Sequence, residues 1–390
     1  MRRGATVAAA LAGAIAGATG VLSIPSRTLP PSPPPVVPAV LGPAPVGTLL
    51  AWTPGRLPPG FVGASRAAPG VQDVAVVRSG VAWLSGWRDT TGADRRPPQG
   101  LAFPVEVAAI DPEGYAAFVP ASDRASVTGL AGGGALLSET AAELRGVGPG
   151  ASLTVGGRTL HVTGVIGDEL VGAHEVVVSR KVGADLGIIR PRYLLIDPRD
   201  GEARGRIERH LRRALPEGIR LRVRGPGEAP VFRHGDAVLP PLRLKELFGE
   251  FAAQPRGGGF LRPDPGWVEG HIRTARVPVL GSVTCHRALI PQLRHALREV
   301  EGRGLGGYLD PATYAGCYSP RYADRDPSGG LSHHSWGVAF DVNVTENPQG
   351  RRPRLDRRVV EVFERWGFTW GGTWLIPDGM HFEFLTYPTG

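Results

Sequence analysis

Proline sets the first limit on what this chain can build. From Ile24 to about Gly70 the sequence opens as IPSRTLPPSPPPVVPAVLGPAPVG and continues in a similar vein. Each proline removes a backbone donor and fixes φ, so a block this dense holds an extended course and cannot propagate a helix or a central strand. Residues 25–70 are therefore expected to be a spacer, with the packed domains downstream of it. The chain has 390 residues, which leaves room after the spacer for two domains with cores of their own.

Ahead of the spacer, MRRG supplies a short positive start and ATVAAALAGAIAGATGVLSI supplies twenty uncharged residues. This is the pattern of an export signal over residues 1–24, with Ala16-Gly17-Ala18 as a small-residue cleavage site. The run is also long enough to stay in place as a membrane anchor. The expected location is extracytoplasmic, either secreted or tethered at the cell envelope. Net charge is +8, but nearly all basic residues are scattered arginines and the only lysines are Lys181 and Lys245. No basic tract or aromatic platform accompanies them, so nucleic acid is not an expected partner, whereas an acidic wall polymer or an anionic membrane fits. Cys285 and Cys317 are the only cysteines. Outside the cytoplasm such a pair is a candidate disulfide, with two buried thiols as the alternative.

Residues 71–227 read as a mixed α/β accessory domain. VQDVAVVRSGVAWLSGW and RYLLI are strand-like, SETAAELRGV is a short helix capped by Ser138, and Gly156-Gly157 turns a hairpin. EARGRIERHLRRAL carries Ile207, Leu211 and Leu215 at helical spacing, and IRLRVR follows as a strand. His161 is expected on a solvated face. The piece LLSETAAELRGVGPGASLTVGGRTLHVTGVIGD resembles the extracytoplasmic domain of exporter-type ABC permeases, which implies a positioning or interaction module whose partner the sequence does not name.

After RGPGEAP, two helices are expected. One carries Ile290, Leu293, Leu297 and Val300 and stops near Gly302; the other carries Leu355, Val359, Phe363 and Trp366 and stops at Gly367. Between and after them lie GVAFDVNV and MHFEF. With period two, Val338, Phe340, Val342 and Val344 take one face and Ala339, Asp341 and Asn343 the other. Likewise Met380, Phe382 and Phe384 oppose His381 and Glu383. Helices beside a short antiparallel sheet make an α+β domain.

A carboxylate inside an apolar strand is costly unless it is paired or bound to a metal. If the two strands pair, His334, Asp341 and His381 offer nitrogen, oxygen and nitrogen to one ion and leave a fourth position open, which is the ligand count of a catalytic zinc. His333 is expected to be solvent-exposed, and His286 and His295 to be structural. Trp336 and Phe340 are expected to pack the domain and limit water access around the site.

SHHSWGVAFD fits the pattern Ser-x-His-x-x-Gly-x-Ala-x-Asp of the zinc D-Ala-D-Ala carboxypeptidase family, which shares its fold with hedgehog signalling domains. DGMHFE resembles that family's closing motif, and WVEGHI, VTCHRALIPQL and AGCYSPRY extend the resemblance over residues 239–390. It implies Zn2+ held by His334, Asp341 and His381, with Asp378 as general acid/base, where several members carry Glu. It implies Arg321 for orienting substrate or stabilising the oxyanion, Ser332 as a substrate contact and Glu383 as an orienting neighbour of a ligand. The implied substrate is the peptidoglycan stem peptide, cut as a D-alanyl-D-alanine carboxypeptidase would cut it. Three alternatives stay open: an endopeptidase with the same site, thiol chemistry through Cys317, and a non-catalytic wall- or partner-binding module stabilised by zinc.

Overall fold

The computed structural model describes residues 47–199, 204–228 and 239–388. The expected signal or anchor and most of the proline-rich spacer lie outside the described residues. Everything described falls within one compact unit.

The first half is built around an unusually long strand. Its strands are β1 (Leu49–Trp52), β2 (Val71–Arg88), β3 (Asp94–Arg95), β4 (Phe103–Ile110), β5 (Ala135–Ser138), β6 (Ser152–Val155), β7 (Arg158–Ile166), β8 (Val176–Ser179), β9 (Pro191–Pro198) and β10 (Arg222–Arg224). They follow the order β10-β1-β9-β2-β4-β8-β5-β7-β6, and β6 returns to pair with β2. Six strands thus close into a barrel-like ring, which removes the open edges that two of its members would otherwise present. β2 serves both parts because its N-terminal half pairs with β9 and its C-terminal end with β6, with an irregularity between Leu84 and Gly86. The sequence suggested several strands here, but one continuous strand runs through.

The boundary expected at residue 70 is about twenty residues too late. β1 lies between β9 and β10, with Leu50 and Ala51 fully buried, and a helix over Phe61–Arg66 buries Phe61. Pro54, Pro58 and Pro59 occupy loops around these elements, and Thr48–Thr53 contains no proline, so the ladder forms undisturbed. Elsewhere the expected elements stand. Gly156 and Gly157 both take positive φ at the β6–β7 turn, and Ile207 and Leu211 are buried on the helix Arg204–Arg213. Ser138 sits at the N-terminus of Glu139–Arg145 but makes no capping bond; Asp168 accepts from the Thr140 amide instead. His161 is exposed, as expected.

The second half carries two hairpins, β11 (Ala253–Arg256) with β12 (Phe260–Pro263) and β13 (Ile272–Val277) with β14 (Gly281–His286). A three-stranded antiparallel sheet follows, ordered β15-β17-β16, where β15 is Ala339–Asp341, β16 is Phe368–Trp370 and β17 is His381–Phe384. The helix Leu289–Gly302 buries Leu293, Leu297 and Val300, and Arg357–Arg365 buries Val359 and Phe363. Phe340, Phe363, Phe368 and Phe382 form one aromatic cluster beneath the sheet.

β15 is shorter than expected. The strand ends at Asp341 because Asn343 takes a left-handed φ of 51°, and its side chain accepts from the Asp310 amide and donates to the Tyr308 carbonyl. Asn343 is thus a loop anchor, not a strand residue. Met380 precedes β17 and borders a surface cavity, so it does not share the core face of Phe382 and Phe384.

The two halves are joined through buried charge. Lys245 Nζ lies 2.9 Å from Glu175 and 2.7 Å from Glu250, while Arg145 Nη2 lies 2.6 Å from each of the same two carboxylates. Lys245 and Glu175 are essentially without solvent. Burial alone would raise the Glu175 carboxyl, but Lys245 and Arg145 hold it below its ordinary value. Backbone bonds between Ala102 and Ala253 add a β-bridge across the same junction.

Candidate metal centre

Pairing of β15 with β17 sets the site. In this antiparallel register Asp341 stands opposite His381 and Ala339 opposite Glu383, so the polar faces of both strands coincide. His334 enters from a single 3-10 turn over His333–Ser335. Gly337 then turns the chain into the strand with φ of 68°, and a Cβ there would lie 2.7 Å from the His286 amide nitrogen. Only glycine meets both demands.

His334 Nε2 lies 3.2 Å from Asp341 Oδ2, and His381 Nδ1 lies 2.9 Å from Asp341 Oδ1. One donor atom from each residue falls within 4.8 Å of the others. All three residues are at most 9% exposed. His334 Nδ1 faces the Cys317 carbonyl at 2.9 Å, and because a carbonyl only accepts, the proton must be on Nδ1. That leaves the Nε2 lone pair directed at the site, where Nε2 is buried without a hydrogen-bond partner. On His381, Nε2 faces Glu383 at 3.3 Å and Glu383 in turn lies 2.7 Å from His333 Nδ1. A buried, orphaned imidazole nitrogen beside a carboxylate and a second imidazole is the donor set a divalent zinc takes, so the residues fit the group.

The electrostatics agree. Burial would raise the Asp341 carboxyl, but the two imidazoles beside it, His334 and His381, outweigh that and hold Asp341 far below the usual carboxylate range. Burial pushes His381 down, yet Asp341 and Glu383 raise it to about 10, while burial keeps His334 lowered. Glu383 is held at about 2, against the effect of burial, by His333 and His381. A cation bound here would displace the proton shared by His381 and Asp341.

Asp378 is the nearby acid. It is 8% exposed, and burial raises its carboxyl to about 6. Its Oδ1 is buried without a hydrogen-bond partner, and its amide donates to the Gly371 carbonyl. A Cβ at Gly371 would come within 2.8 Å of the Asp378 carbonyl oxygen, so that close approach also requires glycine. Asp341, Asp378 and His381 share a cavity of about 430 Å3 with Arg321, Asp324 and Arg325.

Ser332 is buried and meets Arg321 through its backbone amide, and it does not border that cavity. Ser335 is the serine the sequence missed: its hydroxyl accepts from the Arg321 amide at 3.0 Å and donates to the Arg321 carbonyl at 2.9 Å. His333, expected in solvent, is only 8% exposed because the ring packs behind the site to reach Glu383. Trp336 and Phe340 are core residues; Trp336 packs on Phe251 and donates to the Gly249 carbonyl, away from the cavity. His286 is buried against the Phe248 carbonyl, and His295 stacks on Trp366, so both are structural. Cys285 and Cys317 are joined in a disulfide, which leaves no free thiol for nucleophilic chemistry.

This arrangement defines a candidate mononuclear metal centre with an acid beside it. Residues 325–384, which contain the three ligand candidates and Asp378, match the family model described as D-alanyl-D-alanine carboxypeptidase. No curated protein matches the chain. Among solved structures, the periplasmic region of MacB from Actinobacillus actinomycetemcomitans is similar at 12% identity and TM-score 0.33, over 45% of this chain and 88% of that one. The extracellular domain of the noncanonic ABC-type transporter YknZ from Gram-positive bacteria is similar at 16% identity and TM-score 0.28, over 42% and 88%. A domain of a putative permease protein from Porphyromonas gingivalis is similar at 14% identity and TM-score 0.30, over 48% and 96%.

Proposed function

We propose that the protein is an extracytoplasmic zinc peptidase that hydrolyses the peptidoglycan stem peptide as a D-alanyl-D-alanine carboxypeptidase. The observation that carries this reading is that Asp341 and His381, two members of the His334–Asp341–His381 donor set, line one cavity with the Asp378 carboxyl. A binding module stabilised by zinc has no use for an acid at that position.

Zinc held by His334, Asp341 and His381 would supply Lewis acidity, making water a better nucleophile and polarising the scissile carbonyl. Asp378, raised to about 6, is largely ionised at neutral pH yet basic enough to take a proton from the attacking water. It then returns that proton to the leaving amine. Arg321 borders the same cavity and brings a fixed positive charge to the oxyanion or to a terminal carboxylate of the substrate. Glu383, fixed by His333, keeps the His381 ring in one orientation.

Metal analysis of the purified full chain, together with mass spectrometry of digested muropeptides, tests the reading. Zinc at one equivalent and loss of a single terminal D-Ala support it. Internal cleavage of peptides lacking a free D-Ala terminus would make it an endopeptidase instead. Bound zinc with no cleavage of either peptide would leave a structural site.

A further inference from the structure

One loop borders the cavity, a second adjoins two of its lining residues, Asp378 and His381, and the first domain holds both. One loop leaves Arg321 and returns at Leu331, bringing Arg321, Asp324 and Arg325 to the cavity. Its turn is organised by Asp326, which accepts from the amide and hydroxyl of Ser328. Arg190 of the first domain donates to Asp326 Oδ2 across 2.7 Å.

The second loop spans Gly371–Leu375. Its Gly371 carbonyl receives the Asp378 amide, and its Trp374 ring lies 5.1 Å from the His381 ring. Arg220, just before β10, donates to the Leu375 carbonyl at 2.9 Å, and Arg222, within β10, donates to the Thr373 carbonyl at 3.0 Å. The buried Arg145–Glu175–Lys245–Glu250 cluster fixes the first domain against the second, so these three arginines work from a set position.

We propose that the first domain belongs to the active-site framework: Arg190 positions the loop after Arg321, and Arg220 with Arg222 positions the Gly371–Leu375 loop, which receives the Asp378 amide and packs on the His381 ring. The kinetic consequences rest on the peptidase reading, but the positioning does not. Loops with little regular structure open locally at low cost, and a tether at one point of each raises that cost. The contacts at Arg190 and Asp326 are partly solvated, so the effect on global stability is small while the local effect is not.

The test uses the full chain loaded with zinc, the variant Arg190→Gln, and the double variant Arg220→Gln/Arg222→Gln. Amide exchange read by mass spectrometry is the primary measurement. In the first variant, exchange over residues 322–331 should rise about threefold to tenfold with residues 371–376 unchanged; the double variant should show the reverse. With the stem peptide, Arg190→Gln should mainly raise KM and the double variant mainly lower kcat, since the second loop holds the Asp378 amide. Arg190→Lys should restore protection, and Arg298→Gln on an exposed helix face should leave every readout alone. Unchanged exchange in both loops overturns the proposal. So does loss of protection across the helix Leu289–Gly302, which would mean a general loosening. Local exchange changes without cleavage by the wild type would support the positioning and sink the peptidase reading.

Discussion

His334 Nδ1 donates to the carbonyl oxygen of Cys317 across 2.9 Å, so the disulfide to Cys285 holds the peptide unit that orients a metal ligand. The bond closes a separation of 32 residues, which in the chain-entropy model stabilises the fold by about 3–4 kcal/mol. The double variant Cys285→Ser/Cys317→Ser should lose stability of that order in urea unfolding. It should also bind zinc about tenfold more weakly in competition with a chelator. Unaltered zinc affinity would separate the disulfide from the site.

Glu383 fixes the orientation of His381 without being counted among the ligands. Glu383→Gln should lower zinc affinity by about 10- to 100-fold, as loss of a ligand's outer partner does. Chelator competition measures it directly, and equal affinity would show that His381 is held by packing alone.

Asp378→Asn keeps size and removes the base. Turnover of the stem peptide should fall by about 100- to 10,000-fold while one equivalent of zinc stays bound. Stopped-time assays with metal analysis on the same sample check both. Full activity would remove Asp378 from the mechanism.

The same carboxyl predicts a pH signature. In the chelated protein it should titrate near 6, and a carboxyl NMR resonance absent from Asp378→Asn would identify it. Because its folded pKa is above the ordinary carboxylate value, the folded chain retains a proton that the unfolded chain has released between about pH 4 and pH 6. Wild type should therefore lose stability relative to Asp378→Asn as pH rises through that window, then level off. A difference that is flat with pH would contradict the raised value.

Lys245 sits between two carboxylates with almost no solvent. Lys245→Met leaves Glu175 with the Arg145 guanidinium and the Glu106 amide, and removing one charged partner of a buried ion cluster costs about 3–5 kcal/mol. Urea unfolding should show that loss. A change below about 1 kcal/mol would mean that water reaches the cluster in the variant.

Much of the site was legible because strand periodicity is a local property. Asp341 on a polar face, His381 and Glu383 two apart on another, and His334 before a glycine were all readable without coordinates. His333 and Ser335 were not, since their partners Glu383 and Arg321 are 50 and 14 residues away. The early strand β1 was missed for a related reason: prolines on both sides masked a short proline-free run whose pairing partners β9 and β10 lie far downstream.

By itself the sequence determined which residues carry donors, which faces are apolar, where glycine must turn the chain, and where the peptidase-like segment lies. Tertiary structure alone decided that β15 and β17 pair in the register that sets Asp341 opposite His381. It also decided that Lys245, Arg145, Glu175 and Glu250 meet, and that arginines of the first domain reach the two loops beside the site. The reason is physical: periodicity and turn chemistry are fixed by neighbouring residues, whereas a buried charge or an orphaned nitrogen acquires its meaning only from the groups that folding brings to it.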